Sequence, residues 1–83
     1  MNNELKLGFV GFGEAGYCIA KGLRSAGLSR ISAYDINTRT PGLGEKIQRR
    51  ASESEVALVE SNAELASVSD ILLSTVTANR NFM

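Results

Sequence analysis

The chain has 83 residues, enough for one domain or part of one and too few for two. Nine Lys and Arg offset nine Asp and Glu, so no basic field exists to hold a nucleic acid or an anionic membrane surface. With 43% hydrophobic and 22% charged residues the composition is globular rather than disordered, and a single cysteine, Cys18, excludes an internal disulfide.

Residues 5–10, LKLGFV, form a short apolar run that Gly11 ends, the pattern of a strand buried on both faces. From Ala15 to Ala26, the residues Ala15, Ile19, Leu23 and Ala26 recur at spacings of four, four and three, with Lys21, Arg24 and Ser25 on the other side. This predicts an amphipathic helix, which Gly27 closes in a left-handed conformation. Residues 30–35, RISAYD, read as a second strand that ends on an acid. A weaker helical face follows in Leu43, Ile47 and Ala51, with Pro41 near its start. VALV, residues 56–59, is a third strand, and Ser61 with Glu64 forms a capping box for a short helix through Val68. DILLSTV, residues 70–76, is the fourth strand, and a polar tail follows it. Strands alternating with helices imply right-handed crossovers, hence an α/β, Rossmann-like parallel sheet of about four strands with helices on both faces.

Gly11, Gly13 and Gly16 stand as Gly-x-Gly-x-x-Gly at the junction of the first strand and first helix, and Asp35 lies 19 residues beyond Gly16 at the end of the second strand. The pattern alone is weak, but this context is the one that dinucleotide binding requires. Gly11 permits the tight turn, Gly13 lets a pyrophosphate approach the backbone, and Gly16 lets the helix pack on the sheet. The helix N-terminus offers unpaired N–H groups to phosphate. Asp35 can accept from both adenine-ribose hydroxyls and repel a 2′-phosphate, which favours NAD over NADP. The glycines can also be a packing device, and Asp35 can simply cap a turn. Glu14 reads as a solvated first-turn acid. Cys18, in a chain without histidine, reads as a packed small apolar residue. Arg39 is either a solvated loop residue or an acceptor of a 2′-phosphate.

At FVGFGEAG, AYD and DILLSTVT the sequence resembles the N-terminal nucleotide-binding domain of the β-hydroxyacid dehydrogenases. That family includes 6-phosphogluconate and 3-hydroxyisobutyrate dehydrogenases. Phe12 and Ala15 stand where the family usually has Leu and Met, which suggests a phosphogluconate-dehydrogenase-like side branch. The resemblance implies that Gly11, Phe12, Gly13, Glu14, Ala15 and Gly16 line the pyrophosphate, mostly through backbone, and that Asp35 takes the adenine ribose. It implies Val76 and Thr77 beside the cofactor's ribose and nicotinamide side, without the proline common there. It implies NAD as cofactor, NADP being possible, with a small hydroxy acid as substrate.

The family's catalytic lysine and all-helical substrate domain lie beyond residue 83, and Lys6, Lys21 and Lys46 do not match that lysine. No catalytic residue is therefore assigned, and the whole chain, 1–83, is expected to be the N-terminal part of a dinucleotide-binding domain that binds without turning over. The apolar fourth strand is expected to leave an open edge and to promote homo-oligomers. A start without a signal-peptide pattern and the lack of an apolar run of membrane length make a cytoplasmic location the expectation. A non-catalytic dinucleotide-binding or redox-sensing module is the competing function. An S-adenosylmethionine-dependent methyltransferase fits less well, because a third glycine entering the helix suits a pyrophosphate.

Overall fold

In the computed structural model, which describes residues 5–75, strands and helices alternate as β1 (Lys6–Val10), α1 (Glu14–Ser25), β2 (Arg30–Tyr34), α2 (Leu43–Ser54), β3 (Ala57–Leu58), α3 (Asn62–Ser67) and β4 (Ile71–Ser74). The four strands form one sheet in the order β3-β2-β1-β4, every pair parallel. The crossover direction reverses after β3, so right-handed connections place α1 and α2 on one face and α3 on the other. This is the Rossmann-like arrangement expected from the sequence. Among the described residues no helix is long and apolar enough to cross a membrane, and no group of His, Cys, Asp or Glu could hold a metal ion.

Alternation along the strands builds the core. Leu7 and Phe9 of β1 and Ile31 and Ala33 of β2 are buried with Ala20, Ile47 and Ala51 of the two helices. Side chains two apart on a strand share a face, so these four meet α1 and α2. α3 contacts β1 and β2 and buries Leu65 completely, outside that cluster. Its Ser61 Oγ accepts from the Glu64 N–H at 3.0 Å, as the capping box predicts, whereas the Glu64 carboxylate accepts from the Glu60 N–H at 2.9 Å, one residue earlier than the usual partner.

Three expectations need correction. The buried side of α1 is Gly16 and Ala20, with Leu23 partly buried, while Ala15 and Ala26 are exposed and Ile19 is 42% exposed. The hydrophobic pattern favours the larger side chains, but close packing on the sheet selects the smaller ones. Cys18 lies away from that line and is exposed, not packed. β3 is two residues long rather than four, although the Val59 N–H still donates to the Ala33 carbonyl at 2.9 Å. Gly27 does close α1, at φ 108°, and the Leu28 N–H reaches back to the Leu23 carbonyl at 3.0 Å.

Phe9 is fully buried in the centre of the sheet. Phe9→Ala is expected to cost about 3–5 kcal/mol through lost transfer energy and the cavity left behind, read from urea unfolding of the purified protein.

Candidate functional site

Three strand ends meet at Gly11. Its N–H donates to the Tyr34 carbonyl at the end of β2, at 2.7 Å, and its own carbonyl accepts from the Thr75 hydroxyl just after β4. The Thr75 N–H also donates to the Val10 carbonyl at 2.8 Å. Gly11 sits at φ 87°, which a residue with a side chain adopts only under strain. Phe12 turns its ring into the core against Phe9, with centroids 5.9 Å apart, and leaves its N–H outside to donate to Asp35 Oδ2 at 2.7 Å. The other carboxylate oxygen, Oδ1, accepts from the Asn37 N–H at 2.8 Å. Asp35 thus ties the glycine turn to the loop after β2 by hydrogen bonds to a charged acceptor, which are worth about 1.5–3 kcal/mol each.

Above this junction lies a cavity of about 570 Å³, lined among others by Gly11, Gly13, Asp35, Asn37, Arg50 and Thr75. That is within the usual range for a small-molecule site. Gly13, which lines the cavity, is the N-cap of α1 and supplies no side-chain cap for the first-turn N–H groups of the helix. A Cβ placed on Gly13 would meet nothing within 4 Å, so a substituent there would project into open space. A Cβ on Gly16 would come within 2.9 Å of the Thr75 hydroxyl, 3.2 Å of the Phe12 ring and 3.3 Å of the Gly11 carbonyl. Gly13 keeps the approach clear, and Gly16 lets α1 sit against the turn.

The residues singled out from sequence separate into groups. Gly11, Phe12, Gly13 and Asp35 line the cavity, Gly16 is buried beneath it, and Glu14 and Ala15 are exposed on the first turn of α1. Val76 and Thr77 lie outside the described residues. Arg39 does not line the cavity. It is exposed and paired with Glu60, and that hydrogen bond, with the accompanying charge attraction, raises the guanidinium pKa. Most of the other lining residues were not singled out from sequence, Thr75 and Arg50 among them. Thr75 carries no motif of its own. Arg50, however, follows Leu43 and Ile47 at helical spacing, and a charge on an apolar face was a readable signal.

The family profile described as NADP oxidoreductase, coenzyme F420-dependent, matches residues 6–81. A crystal structure of a conserved hypothetical protein from Sinorhizobium meliloti 1021 superposes with a TM-score of 0.76 at 35% identity, over 87% of this chain and 24% of that one. The chain therefore spans about a quarter of the length of that neighbour. No curated protein matches it.

Asp35→Ala removes the acceptor of two backbone N–H groups. It is expected to cost about 2–4 kcal/mol, measured by urea unfolding, with the amides of Phe12 and Asn37 losing hydrogen-exchange protection first.

Proposed function

The chain belongs to the family described as NADP oxidoreductase, coenzyme F420-dependent, and on that premise we propose that it forms the adenosine and pyrophosphate half of the NAD(P) site of an oxidoreductase. The observation that carries this reading is the cavity over the glycine turn, lined by Gly11, Gly13 and Asp35, where α1 begins without a side-chain cap and a Cβ on Gly13 would meet nothing within 4 Å. The turn from Gly11 to Gly16, with Glu14 and Ala15 contributing backbone, would hold the pyrophosphate. Asp35 would accept the adenine-ribose hydroxyls with the lone pairs that Phe12 and Asn37 leave, and Val76 and Thr77 would lie toward the nicotinamide.

A bound nicotinamide cofactor supplies hydride chemistry. The described residues supply binding and orientation. Among the described residues no His, Lys or Cys lines the cavity, and no catalytic residue is assigned. A small hydroxy acid, as in phosphogluconate-dehydrogenase-like enzymes, is the proposed partner in hydride exchange. The family's description names coenzyme F420, which is the second candidate. The exposed thiol of Cys18 fits a reducing compartment such as the cytoplasm.

Homo-oligomerisation accompanies this reading. β4 is an edge strand among the described residues, and Ile71 and Leu72 are 46% and 48% exposed. Pairing with a second copy would cover that edge. A concentration-dependent mass above the monomer is expected in light scattering, and a monodisperse monomer overturns it.

The dinucleotide reading is tested by calorimetric titration with NADH, NADPH and S-adenosylmethionine. Saturable dinucleotide binding is expected, with roughly 10-fold or greater loss in Gly13→Val, where the added side chain fills the space left for phosphate. Binding of S-adenosylmethionine alone, or equal affinity in Gly13→Val, overturns it.

A further inference from the structure

Among the described residues that line the cavity, Arg50 is the one cation and Asp35 the one anion. Arg50 stands three positions after Ile47 and seven after Leu43, and all three belong to the face of α2 that walls the cavity. It also lines the shallow cleft beside Glu14, in the first turn of α1. The guanidinium groups of Arg24 and Arg39 are held by Glu55 and Glu60, whereas among the described residues no carboxylate or hydrogen-bond acceptor holds that of Arg50.

Arg50 as a residue is half-buried, and a guanidinium drawn from water without a carboxylate partner is stabilised by an anion. Its planar donors match the oxygens of a phosphate better than any other side chain does. Its position between the first turn of α1 and the loop after β2 is where the adenine ribose would lie on the dinucleotide reading, on which this inference rests. Asp35 disfavours a phosphate on that ribose by charge. Both of its oxygens, however, already accept backbone N–H groups, and Arg50 brings an opposing charge to the same cavity.

We infer that Arg50 is the specificity-determining contact for a 2′-phosphate, so that cofactor choice is a balance between Asp35, which favours the free ribose diol, and Arg50, which admits the phosphorylated one. The site accepts both NADH and NADPH. Arg39, the loop arginine that the sequence offers for this task, is engaged by Glu60 away from the cavity.

The test is a titration of the full chain and of Arg50→Gln, Arg50→Lys and Arg39→Gln with NADH and NADPH, the fold of each variant being checked by circular dichroism. Wild type is expected to bind both. Arg50→Gln should lose roughly 10- to 100-fold in NADPH affinity, the loss of a charged hydrogen-bonding partner, while NADH binding is little changed. Arg50→Lys should recover part of the loss, and Arg39→Gln should match wild type. Equal weakening of NADH and NADPH in Arg50→Gln, or no weakening of either, overturns the role of Arg50 and leaves the dinucleotide reading standing. A folded wild type that binds neither overturns both.

Discussion

The hydrogen bond from the Phe12 N–H to Asp35 is the contact on which the arrangement depends. It joins the turn after β1 to the end of β2 through a charged acceptor, and the second oxygen of the same carboxylate fixes the loop after β2 through Asn37. The Gly11 N–H and carbonyl complete the junction, bonded to Tyr34 on one side and Thr75 on the other. Where α1 begins, at Gly13 on the cavity wall, no side chain caps the first N–H groups of the helix. The site thus includes a helix N-terminus, of positive dipole, that no side chain caps.

Packing sets how close the pieces come. Phe12 directs its ring into the core beside Phe9 and so presents only backbone to the cavity. Gly16 allows α1 to rest near Thr75, and Ala20 continues the same line of small residues onto the sheet. The large apolar residues of α1 are pushed to the flanks, which is why Ile19 faces outward. The helix trades buried side-chain area for a short distance between its first turn and the strand ends. That distance matters more to a phosphate site than additional core.

Two arginines show how charge is divided. Arg39 and Glu60 neutralise each other on an exposed loop, a pairing of little consequence for stability in high dielectric. Arg50 stays unpaired among the described residues and belongs to the same cavity wall as the turn. The local sequence points to Arg39, since it follows the second strand closely. Tertiary contacts give it a partner and pass the role to a residue eleven positions later, on another element.

The alternation of apolar runs with helical spacing was enough to establish a parallel α/β sheet, because period two and period 3.6 are local properties of the chain. The three glycines and Asp35 were legible for a similar reason: a turn, a helix start and an acid at a strand end each leave a short-range mark. What the sequence could not set was which side of α1 is buried, whether Cys18 is covered, or where Asp35 directs its oxygens. Those follow from how closely the helix approaches the sheet and from which backbone N–H groups the turn brings within reach. Arg50 is the clearest case, because a charge at an apolar-face position acquires meaning only when the fold places a cavity beside it.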